Sequence, residues 1–186
     1  MKLVALDLPG AYLVELERHA DERGFFARTW CSREFAEAGL PAEIVQTNVS
    51  HTRERGTIRG LHYQRPPSRE GKIVRCIKGG IWDVIVDIRP DSPAFLRHFG
   101  ARLTPTNQNA LYIPPGFAHG FQTLEPDTEV WYQMTDFYQP GLGGGMRWND
   151  PALHIGWPLA PSTMNERDAT YPDLDSADFE AFRGFR

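Results

Sequence analysis

From residue 43 onward the apolar positions come in short runs, many alternating with polar ones, broken every few residues by Gly, Pro, Asn or Asp. Side chains alternate faces along a strand, so such runs predict β-strands. Strands are expected over Glu43–Ser50, Thr57–Gln64, Lys72–Lys78, Ile81–Arg89, Arg97–Leu103, Ala110–Ile113, Phe117–Thr123 and Glu129–Phe137. An earlier one covers Tyr12–Glu17, and another opens at Phe25-Phe26 after the turn Asp21-Glu22-Arg23-Gly24. Within Ile81–Arg89, Trp82, Val84, Val86 and Ile88 share one face. Gly79-Gly80 predicts a two-residue hairpin joining the strands on either side, because paired glycines accept positive φ. One helix precedes these strands, Ser32–Gly39, with Ser32 as its cap, Phe35, Ala36 and Leu40 as its apolar side and Gly39 as its left-handed end. A second short helix is expected over Ser176–Arg183. With no helices alternating with the strands, the pattern predicts an all-β antiparallel sandwich or barrel carrying a few short peripheral helices. Nothing in the sequence divides the chain, so 1–186 reads as one domain.

A hydrophobic content of 41% over 186 residues lets one core bury roughly 70% of the surface of the unfolded chain. Cys31 and Cys76 are the only cysteines, too few for a disulfide framework, which favours a reducing compartment. The formal net charge of −4 speaks against a nucleic-acid partner, which calls for a basic surplus. Asp7 and Pro9 interrupt the apolar run from Leu3 to Leu8, and no stretch approaches the roughly 20 apolar residues of a membrane helix. A soluble, cytoplasmic protein with no membrane partner is expected.

Candidate chemistry gathers in Thr57-Ile58-Arg59-Gly60-Leu61-His62-Tyr63-Gln64. On a regular strand Arg59 and His62 face opposite ways, but Gly60 between them fits a bulge that re-aims side chains. The octapeptide alone leaves two readings: an anion clamp beside a titratable base, or a surface arginine and a packed histidine. Lys72 likewise reads as a functional cation or as a lysine blunting an edge strand, and Arg23 as a ligand contact or a solvated turn residue. More specific is Pro114-Pro115-Gly116-Phe117-Ala118-His119, the second half-motif of cupin barrels, which points its histidine inward. The first half-motif would be His-x-His, and here Gln64 stands where the second histidine belongs. His62 and His119 then lack a dependable third ligand beyond Glu70, so a metal-free site is expected.

Several long segments in order resemble the dTDP-4-dehydrorhamnose 3,5-epimerase family. They are Asp21 to Phe26, Gln46-Thr47-Asn48-Val49-Ser50, Arg59 to Gln64, Lys72-Ile73-Val74-Arg75, Asp83 to Arg89, Pro114 to Phe121, Trp148-Asn149-Asp150-Pro151 and Ile155-Gly156-Trp157-Pro158. The resemblance implies a cupin jelly roll, a homodimer, no cofactor, and a nucleotide-diphosphate 4-keto-6-deoxyglucose as substrate. It implies that His62 is the base, Asp168 the carboxylate that orients it, Tyr132 the acid on the opposite side and Lys72 the cation beside the C4 oxygen. Arg23, Arg59 and His119 would contact diphosphate and sugar, and Tyr138 would stack on the base. Phe26, Arg28, Gln46, Asn48 and Arg167 complete the implied substrate contacts.

Three positions depart from that pattern in the substrate contacts. Arg28 and Gly143 stand where the family usually carries glutamates on the nucleoside side, and Arg167 where a lysine is common. Asn165 replaces a usual serine beside Asp168. The proton-transfer set is intact, so the expectation is epimerisation at C3, C5 or both of a dTDP sugar. A CDP-linked sugar or a single-carbon reaction is the alternative within the class. A metal-dependent cupin oxygenase and a non-catalytic sugar-nucleotide binder are the readings outside it.

Overall fold

The computed structural model describes residues 1–175 and 182–185. Two antiparallel sheets hold most of the strands, with β1 (Lys2–Ala5), β2 (Tyr12–Glu15), β5 (Gln46–Thr52), β7 (Lys72–Lys78), β10 (Ala110–Ile113) and β12 (Thr128–Met134) in one. The other holds β6 (Ile58–Gln64), β8 (Ile81–Asp87), β9 (His98–Leu103), β11 (Phe117–Thr123) and β13 (Gly143–Gly145). Their orders are β1-β2-β10-β7-β12-β5 and β13-β6-β11-β8-β9. This is the antiparallel sandwich expected of the pattern and the jelly roll implied by the resemblance. A separate hairpin pairs β3 (His19–Asp21) with β4 (Gly24–Phe26).

The main core lies between the sheets, where Val74, Leu111 and Val130 from one meet Ile81, Ile85 and Phe121 from the other. Full burial of each such side chain contributes about 1.5–3 kcal/mol. Each sheet also covers part of its outer face. Val84, Val86 and Ile88 pack under Met146, Leu153, Phe182 and Phe185, and Ile73 and Tyr112 pack against Phe35 of α1 (Ser32–Glu37).

Two local expectations are corrected. The strands flanking Gly79-Gly80 do not pair with each other. β7 lies between β10 and β12, and β8 between β11 and β9, so the glycines carry the chain from one sheet to the other. Gly79 sits at φ +74°, and a Cβ there would stand 2.4 Å from Thr128 Oγ1, which explains the glycine without a hairpin. Ser32 does not cap α1; it is the first helical residue, Cys31 occupies the cap, and no side chain bonds the free amides. Gly39, at φ +72°, does take the left-handed conformation just past the helix. The helix expected over Ser176–Arg183 falls largely on residues 176–181, outside the described residues. Both cysteines are free, and burial pushes the Cys76 thiol up to about 11.

Candidate active site

β6 and β11 lie side by side with His62 opposite His119, but Arg59 is opposite Phe121. Three steps along β6 therefore match two along β11, which is a bulge, and Gly60 sits in it at φ +114°. A Cβ on Gly60 would lie 2.5 Å from Gly120 Cα, so only glycine lets the strands approach. The bulge turns Arg59 and His62 into one pocket of about 180 Å³ with Lys72, His119, Tyr132 and Asp168. A second pocket, of about 390 Å³, shares His62, Lys72 and Tyr132 and continues to Gln46, Asn48, Tyr138, Gly143 and Arg167. The shared residues join the two into one elongated cavity. His62 enters it from the five-stranded sheet, and Tyr132 and Lys72 from the six-stranded sheet.

His62 Nε2 lies 2.7 Å from Asp168 Oδ1, and the Gly60 amide donates to Asp168 Oδ2 at 2.9 Å. Asp168 is completely buried. Burial alone would raise its carboxyl, but the bonds from His62 and Gly60, reinforced by the Arg167 guanidinium, outweigh it and hold the group below the ordinary carboxylate range. An ionised carboxylate only accepts, so the hydrogen in the pair belongs to His62 Nε2 and the lone pair of the neutral ring is on Nδ1. Asp168 stands in α2 (Glu166–Ala169), whose cap is Asn165. The Asn165 side chain accepts from the Asp168 amide at 2.7 Å. Asparagine caps as well as serine, so the departure at 165 leaves the carboxylate anchored.

Burial, and next the charge of Glu70, raise the Tyr132 phenol above its ordinary value, with Arg59 pulling partly back. The phenol keeps its proton at neutral pH. Lys72 pairs with the buried carboxylate of Glu70, and it is on an interior strand, which removes the edge-lysine reading. Arg59 donates to Thr52 Oγ1 at 2.9 Å and to the His51 carbonyl at 3.0 Å. His119 Nε2 lies 2.8 Å from Asp83 Oδ1. Gln64 faces the larger pocket, and its Oε1 accepts from the Gln139 amide at 3.3 Å. Among the described residues no group of three or more His, Cys, Asp and Glu side chains is arranged to hold a metal ion.

Arg23, Phe26 and Arg28 line neither pocket. Arg23 pairs with Asp21 at the turn of the exposed hairpin, Phe26 is 71% exposed, and Arg28 pairs with Glu34 of α1. Sequence reasoning passed over Asp83 as a partner and gave Glu70 only a metal-ligand role. Asp83 did carry a signal, an aspartate on the strand face that also holds Ile81 and Ile85. A larger depression of about 700 Å³ lies between the 66–69 loop, Arg89, the 114–116 turn and the 183–185 segment. It is lined by prolines and arginines without an acid–base pair.

The family model described as dTDP-4-dehydrorhamnose 3,5-epimerase matches residues 5–176. The chain is 39% identical over 179 residues to the dTDP-4-dehydrorhamnose 3,5-epimerase of Salmonella typhimurium, covering 95% of this chain and 97% of that one. The crystal structure of the Bacillus anthracis enzyme of the same name, with TDP and PPi bound, superposes with a TM-score of 0.89 at 39% identity, over 93% of this chain and 99% of that one. ChmJ, a 3'-monoepimerase from Streptomyces bikiniensis in complex with dTDP-quinovose, gives 0.86 at 30% identity, over 95% and 90%.

Proposed function

The chain belongs to the dTDP-4-dehydrorhamnose 3,5-epimerase family, whose members are isomerases, and we propose that, as one cupin unit over 1–186, it inverts C3 and C5 of dTDP-4-dehydro-6-deoxyglucose without a cofactor. The observation that carries this reading is that His62 and Tyr132 enter one cavity from opposite sheets. Inversion at a carbon next to a carbonyl needs a base on one face and an acid on the other. The C4 carbonyl acidifies the neighbouring C–H bonds. Nδ1 of His62 takes the proton, the electron pair of the broken bond passes into the carbonyl as an enolate, and the Lys72 ammonium balances the negative oxygen. The Tyr132 hydroxyl then delivers a proton to the opposite face, and both groups return to their starting states through solvent. Asp168 keeps His62 in the tautomer this needs.

Arg59 and His119 meet diphosphate and sugar, a use of charge-assisted donors, while Gln46, Asn48, Tyr138 and Arg167 hold the nucleoside end. Relatives crystallised with TDP and with a dTDP sugar support thymidine as the base. Inversion at one carbon is the second reading, favoured by the similarity to a 3'-monoepimerase. Arg23, Phe26 and Arg28 reach substrate only in a homodimer that brings them to the cavity of the second copy. The exposed Phe25, Phe26, Val49 and Ile77 fit such an assembly. The cytoplasm is the compartment in this reading.

The test is proton NMR in deuterium oxide with the dTDP- and CDP-linked 4-keto sugars in parallel. Loss of the C3 and C5 signals with the dTDP sugar is expected. Loss of one signal assigns a single-carbon enzyme, loss only with the CDP sugar assigns another nucleotide, and no exchange with either overturns the reading.

A further inference from the structure

The guanidinium of Arg59 is tied across the two sheets. Its side chain leaves β6, in the five-stranded sheet, and its partners are the last two residues of β5, the outermost strand of the six-stranded sheet. Nε donates to Oγ1 of Thr52 at 2.9 Å, and Nη2 donates to the His51 carbonyl at 3.0 Å. Thr52 is 5% exposed and pairs in register with Thr128 of β12, so its hydroxyl is a fixed point. Arg59 lines the smaller pocket, whereas Thr52 lines neither.

Nε and Nη2 share one edge of the planar guanidinium, one of the two edges that meet an anion with a pair of hydrogens. In Arg59 that edge is taken by two neutral oxygens, which meet its hydrogens without cancelling its charge. The other edge, made by Nη1 and the outer hydrogen of Nη2, has no protein partner among the described residues. An anion entering the pocket therefore meets Arg59 through Nη1 and Nη2 together. Fixing this orientation matters because Arg59 is exposed. An untethered arginine loses most of its rotamer freedom when a ligand immobilises it; a tethered one has lost it beforehand, and binding is tighter for that reason. Filling space at the sheet edge, the other use of a buried threonine, needs its methyl group and not its hydroxyl.

We infer that Thr52 is a positioning residue: its hydroxyl, with the His51 carbonyl, holds Arg59 so that the Nη1–Nη2 edge is presented to the diphosphate before the substrate arrives. This deepens the reading of Arg59 as a diphosphate contact and rests on it. The oxygen at position 52, rather than the bulk there, then sets diphosphate affinity. Serine serves in its place and valine, of the same shape as threonine, does not.

Nitrogen-15 relaxation of the Arg59 Nε–H signal, assigned by its absence in Arg59→Gln, reads the tether in the ligand-free protein. The expected result is a bond as ordered as the backbone in wild type and in Thr52→Ser, and a mobile one in Thr52→Val. A mobile Nε–H in wild type overturns the inference without any substitution at position 52. Calorimetric titration with pyrophosphate, dTDP and thymidine reads the consequence. Thr52→Val is expected to weaken pyrophosphate and dTDP about tenfold, the scale of one hydrogen bond, and to leave thymidine unchanged, with Thr52→Ser restoring the affinity. In an Arg59→Gln background Thr52→Val should bring no further loss. Equal losses in both backgrounds, or a loss in Thr52→Ser as large as in Thr52→Val, would make Thr52 a packing residue and overturn the inference. Unchanged pyrophosphate and dTDP affinity in Arg59→Gln overturns the diphosphate reading and the inference with it, whereas a loss there without one in Thr52→Val overturns the inference alone.

Discussion

Arg59 and His62, three positions apart on β6, open into the same pocket because β6 spends three residues where β11 spends two. The extra residue is accommodated at Gly60, whose positive φ and close approach to Gly120 exclude any side chain. Gly60→Ala is therefore expected to cost about 1–3 kcal/mol from backbone strain, with overpacking against Gly120 adding to it. Turnover should fall further than stability does, since the same residue's amide holds Asp168. Denaturant unfolding and exchange kinetics on one preparation check this; a variant with wild-type activity would show that the bulge does not aim these side chains.

Removing the proposed base and the proposed acid should leave different residues of activity. His62→Asn is expected to abolish solvent deuterium incorporation at both carbons while nucleotide binding changes little. Tyr132→Phe should lose epimerisation by about 10²–10⁴-fold yet retain exchange, because His62 can return a deuteron to the face it came from. Equal losses of exchange and epimerisation in Tyr132→Phe would contradict the two-faced arrangement.

The depressed carboxyl of Asp168 has a sign that can be checked. Its folded value lies below the unfolded one, about 3.9, so its contribution to stability is complete above that value and is lost as the pH falls through the folded value. Asp168→Asn is expected to lower stability by about 1–3 kcal/mol at neutral pH, and the gap to wild type should narrow below about pH 4. Urea unfolding at several pH values measures the gap. A gap that widens in acid would mean that the carboxyl is not held ionised by the fold.

Three consecutive glycines form β13, and their neighbours set them apart. A Cβ on Gly144 or Gly145 would stand 2.4 Å from the Tyr63 ring or 2.1 Å from the Tyr171 ring, whereas Gly143 has nothing nearer than 3.6 Å. Gly145→Ala should cost about 1–3 kcal/mol by overpacking. Gly143→Glu should fold as wild type does and change the ratio of kcat/KM for dTDP and CDP sugars, since the new carboxylate would enter the larger pocket beside Arg167 and Tyr138. An unchanged ratio would remove Gly143 from the nucleoside contacts.

Much of this architecture was legible along the chain. Lys72–Lys78, Ala110–Ile113 and Phe117–Thr123 are strands at the bounds their apolar runs predict. The Gly60 bulge followed from one glycine between two side chains that needed a common face. What escaped depends on long-range partners. Gly143–Gly145 has no side-chain pattern and is a strand only because β6 offers it an edge. The Gly79-Gly80 turn looks locally like a hairpin, and only the opposing strands decide that it joins two sheets. Asp83 stands 36 residues from the histidine it holds, a distance at which no local rule links the two.

The proposed base, cation and acid all project from strands inside the paired sheets, whereas Tyr138 and Gly143, at the proposed nucleoside end, lie after β12 and on the outermost strand β13. The proposed reacting centre is thus fixed by hydrogen-bonded framework, and the proposed nucleoside end sits on the periphery. A lineage can rewrite the periphery one residue at a time without disturbing the inner framework. On the proposed function, changing clientele and changing chemistry are separate evolutionary problems in this fold, and the departure at Gly143 belongs to the first.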